Sequence, residues 1–455
     1  MTTQLNLVYF IGIGGIGMSA IARYLNKAGV KVYGYDKTPT PLTRQLEAEG
    51  MHIHFKDEAE NIPMDTDVVV FTPAVPSDLE IMKAVKSRGL PLLKRSEFLN
   101  YIIQLKQTIA IAGTHGKTTI SGAIAHIFNH SPFGCTAFLG GIAKNYQSNL
   151  ILNPQSEVVV VEADEFDYSF LKLDPSLAVI TAVDADHLDI YHNHEALREA
   201  FADFTGKIKV EGILLIKQSV IIPDRLQQGV KRYTYSLEQE ADFMPLNLQL
   251  ESGMFSYHLK TPQGIIRNLQ PVARGRFNLE NSIAAAAAAW LFGVNEDDIC
   301  KGINSYTGVV RRFDQRIDLP GLTYLDDYAH HPKEISACIE SVKEIYPGRK
   351  ITGIFQPHLF TRTRDFMDEF AESLAALDTL LLLDIYPARE LPIDGITSAA
   401  LFAKTNLEDK HLLSREGVLD FLKGNSIDLL LTMGAGDIDQ LIVPIETLLN
   451  ENYRG

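Results

Sequence analysis

The stretch Gly113-Thr114-His115-Gly116-Lys117-Thr118-Thr119 constrains the fold of this chain more than any other. It follows the apolar run 108–112 and precedes a helix-like segment, 120–129. Glycines leave backbone N–H groups open to an anion, a helix start adds partial positive charge, and lysine and hydroxyl groups neutralise phosphate and hold Mg²⁺. This order of strand, turn and helix predicts a nucleotide triphosphate site. Ile111 stands where the common G-x-x-x-x-G-K-[ST] spacing needs glycine, so the loop is a shortened variant.

A second glycine-rich turn, Gly12-Ile13-Gly14-Gly15-Ile16-Gly17, lies between the apolar strand 7–11 and another helix-like segment. The next strand, 31–35, is closed by Asp36. This is the dinucleotide fingerprint, in which an acidic residue about 20 positions on meets a ribose hydroxyl. Taken alone, the motif predicts NAD. The glycines themselves specify only a diphosphate at a helix start, and many molecules besides NAD carry one.

Composition narrows the class of protein. At 455 residues, the chain is long enough for about three domains. A formal net charge of -15 argues against broad nucleic-acid binding through phosphate neutralisation. No apolar stretch reaches the roughly 18 residues needed to span a bilayer, so we expect no membrane insertion. The three cysteines lack C-x-x-C spacing, which favours a reducing compartment and a cytoplasmic location. We expect a monomer or a dimer.

Carboxylates follow two strands of the predicted central region. The strand 157–161 leads into Glu162-Ala163-Asp164-Glu165, and the strand 177–183 leads into Asp184-Ala185-Asp186-His187-Leu188-Asp189. Side chains at the carboxyl end of a strand, in the same domain as the lysine of the phosphate loop, are well placed to bind Mg²⁺. Two such strand ends beside one phosphate loop predict two metal positions.

The region 211–269 contains short alternating segments and predicts an antiparallel patch that includes 213–216 and 255–259. Asn278 and Asn281 then precede an alanine-rich helix, 282–292. Because they are three residues apart, these two amides share a helix face, as would a pair that reads a base or a sugar.

A further domain begins near Arg311-Arg312-Phe313-Asp314, after which strands at 322–325, 351–355, 379–383 and 428–431 alternate with helices. Polar residues follow each strand, and ligands of open parallel sheets bind outside the carboxyl ends of the strands. Arg362 and Arg364, just after His358, have the chemistry to clamp a carboxylate or phosphate.

The combination of these motifs, in this order, resembles the Mur ligase family over almost the whole chain. The resemblance implies an α/β fold of three domains: a Rossmann-like UDP-substrate domain at 1–106, a central P-loop ATPase-like domain with a mixed sheet at 107–310, and a C-terminal Rossmann-like domain at 311–455. It also implies that the first glycine turn binds UDP and not NAD, and that ATP lies between the second and third domains.

Roles for individual residues follow from the same resemblance. It implies that Lys117 holds the transferring phosphate, that Thr118 and Glu162 hold one Mg²⁺, and that His187 holds the other. The predicted catalytic residues are Lys117, His187, Arg312 and Asp327. The predicted ATP-binding residues are Gly113, Thr114, His115, Gly116, Lys117, Thr118, Thr119, Asn278, Asn281, Arg312 and Asp327. The predicted residues for a UDP-muramate substrate are Gly12, Gly14, Gly15, Gly17, Asp36, His358, Arg362 and Arg364.

Within the family, the pattern is most similar to the branch that joins L-alanine to the carboxylate of UDP-N-acetylmuramate through an acyl phosphate. The implied reaction yields ADP and phosphate and serves peptidoglycan precursor synthesis. The first alternative is the recycling branch, which attaches a tripeptide to the same muramate. Two further alternatives are an NAD-dependent oxidoreductase, which gives the phosphate loop no role, and an ATP-driven switch, which leaves the first glycine turn unexplained.

Overall fold

The computed structural model describes residues 5–185, 188–388 and 390–454. The chain forms two compact units. The first comprises Met1–Leu248, Tyr257–Gln270 and Glu280–Thr307, and the second comprises Gln249–Ser256, Pro271–Leu279 and Gly308–Gly455. The domain boundaries near 106 and 310 stay a prediction.

The first sheet is parallel throughout, with strand order β3-β2-β1-β4-β5. Its central strand is completely buried because helices cover both faces, which explains the unbroken apolar run at 7–11. The strands are β1 (Leu7–Ile11), β2 (Lys31–Tyr35), β3 (His52–His54), β4 (Val68–Phe71) and β5 (Leu92–Lys94). The helices are α1 (Ile16–Lys27), α2 (Pro41–Ala48), α3 (Glu80–Ser87) and α4 (Arg95–Ile103), with a 3-10 turn at Ala59–Asn61.

The second sheet carries the phosphate loop and has the order β12-β11-β10-β6-β9-β7-β8. Its pairs are parallel except for β7 and β8, which form an antiparallel edge. The strands are β6 (Gln107–Ala112), β7 (Thr136–Ala143), β8 (Ser148–Ile151), β9 (Val158–Ala163), β10 (Leu177–Ile180), β11 (Ile213–Lys217) and β12 (Lys231–Tyr235). The helices are α5 (Lys117–Asn129), α6 (Leu188–Tyr191) and α7 (His194–Thr205), with a 3-10 segment at Phe166–Lys172.

The predicted antiparallel patch at 211–269 is wrong in its first half. β11 and β12 pair in parallel and extend the second sheet from β10. Only the later strands form a separate small sheet, in the order β13-β14-β15, where β14 and β15 are antiparallel. These strands are β13 (Met244–Glu251), β14 (Met254–Thr261) and β15 (Gly264–Leu269), followed by α8 (Arg276–Phe292) and α9 (Glu296–Ile303).

The third sheet has the order β16-β17-β21-β18-β19-β20 and is parallel except for the pair β16 and β17. The strands are β16 (Asp314–Leu319), β17 (Leu322–Asp327), β18 (Ile351–Phe355), β19 (Thr379–Leu382), β20 (Lys410–Leu412) and β21 (Leu429–Met433). The helices are α10 (Pro332–Ile345), α11 (Phe360–Asp365), α12 (Met367–Leu374), α13 (Ser398–Lys404), α14 (Arg415–Gly424) and α15 (Asp439–Arg454). None of the helices in the described ranges is long and apolar enough to cross a membrane.

Candidate active site

The phosphate loop connects β6 to α5, as the sequence predicts. Gly113 and Gly116 have φ angles of +133° and +81°, which residues with a Cβ rarely adopt. A Cβ on Gly113 would lie 2.0 Å from Thr181 Oγ1, and one on Gly116 would lie 2.7 Å from Asn281 Oδ1. The loop backbone therefore needs glycine at both positions, for conformation and for space.

Lys117, the first residue of α5, is held at the mouth of the loop by three acceptors. Its Nζ donates to Gly113 O at 2.7 Å and to both carboxylate oxygens of Glu165 at 2.9 Å. The Glu165 side chain is completely buried, whereas that of Lys117 is 17% exposed. Burial alone would lower the pKa of Lys117, but the carboxylates of Glu165, Asp164 and Glu162 outweigh it and raise that pKa above its usual range. Lys117 is therefore a fixed cation at neutral pH.

Thr118 and Glu162 form a second pair beside the lysine. Thr118 Oγ1 donates to Glu162 Oε1 at 2.5 Å. Glu162 lies near the end of β9, which neighbours β6 in the sheet. A Cβ on Gly140 of β7 would lie only 1.7 Å from Glu162 Oε2, so this carboxylate packs directly against the β7 backbone. The result is a hydroxyl oxygen and a carboxylate oxygen placed together at the start of α5.

The end of β10 supports the loop from the other side. Thr114 N donates to Ala182 O at 3.0 Å, and Thr181 Oγ1 donates to His115 O at 2.5 Å. His115 Nε2 lies 3.3 Å from Asp184 Oδ2. Thr119 is buried in the first turn of α5. His187, the predicted second metal ligand, lies outside the described residues.

The first glycine turn connects β1 to α1. Gly12 has a φ of +86°, and Gly15 N donates to Gly12 O at 3.2 Å. Asp36 Oδ2 accepts the N–H of Gly14 at 2.8 Å, so this carboxylate shapes the turn itself. A Cβ on Gly17 would lie 2.4 Å from Arg95 Nη1. The guanidinium of Arg95 therefore lies against the first turn of α1.

The two asparagines of α8 have separate surroundings. Asn278 belongs to the second unit, is buried, and donates from Nδ2 to Arg274 O at 2.8 Å. Asn281 belongs to the first unit, with its Oδ1 beside Gly116 of the phosphate loop. The helix begins at Arg276, six residues before the predicted alanine-rich segment.

In the second unit, Arg311 and Arg312 both lie close to one aromatic ring. Their guanidinium carbons lie 5.3 Å and 5.0 Å from the ring centroid of Tyr328. Arg311 Nε donates to Asp326 Oδ2 at 3.1 Å, and Arg312 Nη1 lies 3.9 Å from Glu334 Oε1. Arg311 has a φ of +63°, so the backbone turns at this residue.

Asp327, at the end of β17, is buried and accepts two backbone N–H groups. These are Phe313 N at 2.6 Å and Ala329 N at 2.7 Å. Burial raises the pKa of Asp327 to about 7, with Glu334 adding to the rise and Arg312 opposing it. Asp327 therefore titrates near neutral pH, unlike an ordinary aspartate.

The remaining predicted substrate residues follow β18. His358 stacks on Tyr386, with ring centroids 5.8 Å apart and an interplanar angle of 18°. Arg362 is only 7% exposed. The Arg364 side chain is 51% exposed and pairs with its neighbour Asp365 at 2.7 Å. Arg362 and Arg364, for which the sequence predicts the same role, therefore have different environments.

The structure brings three residues to these sites in contacts that the sequence does not predict. Glu165 binds Lys117, Arg95 lies at the first glycine turn, and Gly140 packs against Glu162. Glu165 belongs to the acidic strand end that the sequence predicts to be near the phosphate loop, but the sequence does not show that Lys117 is its partner. Arg95 directly follows β5, and a cation at a strand end is the signal in the sequence that points to it.

Family models match most of the chain. The model described as "Mur ligase family, catalytic domain" matches residues 7–107, "Mur ligase middle domain" matches 111–289, and "Mur ligase, glutamate ligase domain" matches 311–436.

Individual proteins are also similar over nearly their whole lengths. The UDP-N-acetylmuramate–L-alanine ligase of Parabacteroides distasonis is 47% identical, with 99% of each chain covered. Among solved structures, UDP-N-acetylmuramate-alanine ligase from Thermotoga maritima has a TM-score of 0.81 at 25% identity, covering 98% of this chain and 99% of the other. A murein peptide ligase from Psychrobacter arcticus shares the fold with a TM-score of 0.73 at 21% identity, covering 97% and 98%. The chain therefore belongs to the Mur ligase family, and its predicted α/β, three-domain architecture is confirmed.

Proposed function

We propose that this protein joins L-alanine to the carboxylate of UDP-N-acetylmuramate and converts ATP to ADP and phosphate. The observation that carries the proposal is the phosphate loop, in which Lys117 is fixed by Glu165 beside the pair of Thr118 and Glu162. Membership of the family and the 47% identity to an L-alanine ligase support this choice of substrates. The branch of the family that attaches a tripeptide is the second candidate. A murein peptide ligase shares the fold of this chain, so the fold by itself does not favour the tripeptide branch.

For the nucleotide, we propose that the loop residues Gly113 to Thr119 surround the phosphates. Their N–H groups and the start of α5 attract negative charge, and Lys117 neutralises the phosphoryl group that is transferred. The proposed remaining contacts to nucleotide are Asn278, Asn281, Arg312 and Asp327. A buried amide such as Asn278 has the donors and acceptor needed to read a base or sugar.

Mg²⁺ fits the oxygen pair at the start of α5. Thr118 Oγ1 and Glu162 Oε1 are hard oxygen donors brought within 2.5 Å of each other. Mg²⁺ keeps several of its waters and takes one or two protein ligands plus phosphate, so two protein oxygens suffice to hold it. A second ion at His187 is part of the proposal. Bound Mg²⁺ would neutralise charge that develops on the phosphoryl oxygens.

The first glycine turn is the proposed site of the UDP diphosphate. Gly12, Gly14, Gly15 and Gly17 build it, and Asp36 holds its shape through the Gly14 amide. His358, Arg362 and Arg364 are the proposed substrate-facing residues of the second unit. We propose domain boundaries at 1–106, 107–310 and 311–455, a cytoplasmic location, and a monomer or dimer.

The need for ATP follows from the chemistry of the carboxylate. An amine does not displace oxide from a carboxylate, so the oxygen must first become part of a phosphate leaving group. Transfer of the γ-phosphoryl group to the muramate carboxylate gives an acyl phosphate and ADP. The amine of alanine then attacks the acyl carbon, and phosphate leaves. The chain contributes position and fixed positive charge, chiefly from Lys117.

An assay of ADP formation across amino acids tests the proposal. ADP release should require both UDP-N-acetylmuramate and an amino acid, with L-alanine the preferred one. Preference for a tripeptide would identify the recycling branch, and ADP release without either substrate would identify a switch.

Calorimetry tests the ligand of the first glycine turn and should show binding of UDP-N-acetylmuramate and no binding of NAD. Micromolar binding of NAD would contradict the assignment of the first glycine turn.

A further inference from the structure

One guanidinium links the first glycine turn to the acidic strand end of the phosphate-loop sheet. Arg95 begins α4, directly after β5. Its Nη1 lies against the backbone of Gly17, where a Cβ would be only 2.4 Å away. Its Nη2 lies 3.2 Å from Asp164 Oδ2. The two outer nitrogens of Arg95 therefore face different sites.

Asp164 is itself held in place. Its Oδ1 accepts the N–H of Phe166 at 3.2 Å, which leaves Oδ2 directed to Arg95. It stands between Glu162, the partner of Thr118, and Glu165, the partner of Lys117. The residue that orients Arg95 thus belongs to the same four-residue segment that organises the phosphate loop.

We propose that Asp164 is a positioning residue for the UDP-sugar site, holding Arg95 so that one edge of its guanidinium faces the glycine turn and meets the substrate diphosphate. The proposal rests on the proposed function, because it takes the diphosphate to bind at Gly12 to Gly17. A guanidinium is planar and presents separate hydrogen-bonding edges, so one edge can stay on a carboxylate while another meets phosphate. Because the chain has a formal net charge of -15, a cation held beside an anion site strongly changes the local electrostatic potential in favour of the anion.

A neighbouring ion pair provides a matched control. Lys94 Nζ lies 2.8 Å from Asp167 Oδ2 and joins the same two segments as Arg95 and Asp164. If the two ion pairs only hold the two segments together, removing either pair should change the affinity for UDP-N-acetylmuramate to a similar extent. If Arg95 is aimed at the diphosphate, only its loss should weaken substrate binding.

Calorimetric titration of UDP-N-acetylmuramate into the full-length protein and its variants tests the proposal. Arg95→Gln should weaken binding by about tenfold or more, as expected for loss of a charge-assisted hydrogen bond. Asp164→Asn should weaken it by roughly threefold to tenfold, because Arg95 remains but is no longer held. The double variant should bind no more weakly than Arg95→Gln alone, because Asp164 acts through Arg95. Lys94→Gln should bind within about twofold of wild type.

Arg95→Lys separates charge from geometry. A lysine ammonium is a point charge without separate edges, so this variant should recover only part of the lost affinity, and adding Asp164→Asn to it should change little. Additive losses in the Arg95→Gln and Asp164→Asn double variant, or equal losses for Lys94→Gln and Arg95→Gln, would overturn the proposal. Those results would leave the proposed function standing, whereas failure of the wild-type protein to bind UDP-N-acetylmuramate would contradict the proposed function itself.

Discussion

The ammonium of Lys117 lies 2.9 Å from each carboxylate oxygen of Glu165, whose side chain is completely buried. The pair links the helix after the phosphate loop to the segment after β9. A carboxylate in that position depends on its cation, because burial without a partner is costly. The lysine therefore has a structural task as well as its proposed part in phosphoryl transfer.

Replacing Lys117 with methionine should destabilise the fold as well as abolish turnover. We expect a loss of about 3 to 5 kcal/mol in the free energy of unfolding, because the buried carboxylate of Glu165 loses the ammonium that it contacts. Adding Glu165→Gln should restore much of that loss. Urea unfolding measures both effects. Lys94→Met removes a half-exposed pair and should cost only about 0 to 1 kcal/mol.

The same pair predicts a pH dependence. Because the folded-state pKa of Lys117 is raised, its stabilising contribution is fully present below the unfolded value, about 10.4, and is lost as pH rises through the higher folded value. The difference in stability between wild type and Lys117→Met should therefore be constant across neutral pH. A Lys117→Met variant as stable as wild type would contradict the structural role of the pair.

Gly140→Ala should disturb the metal site without replacing a predicted ligand. A Cβ there would lie 1.7 Å from Glu162 Oε2, so the carboxylate must move away from Thr118. We expect the Mg²⁺ concentration for half-maximal activity to rise by about tenfold, the effect usual for disturbed support of a metal ligand. Gly264→Ala in β15 is the control, since a Cβ there meets no atom within 4 Å. An unchanged Mg²⁺ dependence in Gly140→Ala would argue against Glu162 as a ligand.

Asp327 should make the protein less stable as pH rises toward neutral. Its folded-state pKa of about 7 lies above the unfolded value, so the folded state keeps a proton that the unfolded chain releases. This contribution is fully present below about pH 4 and is lost as pH rises through 7. Relative to Asp327→Asn, wild type should lose about 2 to 3 kcal/mol between pH 5 and pH 8. Urea unfolding at several pH values measures the difference in the free energy of unfolding between wild type and Asp327→Asn. A difference that does not change with pH would show that the pKa of Asp327 is not near 7.

Arg362 and Arg364 should contribute unequally to substrate binding. Arg362 is almost fully buried, whereas Arg364 is half exposed and forms an ion pair with Asp365. Exposed ion pairs are screened by water and contribute little. Arg362→Gln should therefore lower kcat/KM for UDP-N-acetylmuramate at least about tenfold more than Arg364→Gln does, mainly through KM. Circular dichroism checks that both variants fold, and equal losses would show that burial does not separate their roles.

Local patterns in the sequence predict the two glycine turns well, because each turn lies between a strand and a helix that are contiguous in the chain. The pairing of Lys117 with Glu165 depends on β6 lying beside β9, and strand order within a sheet is a tertiary property that no local pattern encodes. The contact of Arg95 with Gly17 joins α4 to α1, two helices that are distant in the chain, and it is hidden from local patterns for the same reason.

The wrong prediction at 213–216 has a specific cause. Short segments with turn residues between them are typical of antiparallel strands, but β11 continues the second sheet in parallel after the α7 crossover. The sequence also does not predict how exposed Arg362 and Arg364 are, because both are arginines of the same short segment. Only the packing of α11 buries Arg362 and exposes Arg364.

The fate of one carboxylate oxygen tests the central claim most directly. If the γ-phosphoryl group of ATP is transferred to the muramate carboxylate before the amine attacks, one oxygen of that carboxylate must leave with the phosphate. With oxygen-18 in the muramate carboxyl group, mass spectrometry of released phosphate should find one labelled atom for each amide formed, together with ADP. Lys117→Ala should abolish the transfer, because the phosphoryl oxygens lose their nearest fixed cation. Amide formation with unlabelled phosphate, or with AMP and pyrophosphate as products, would contradict the account.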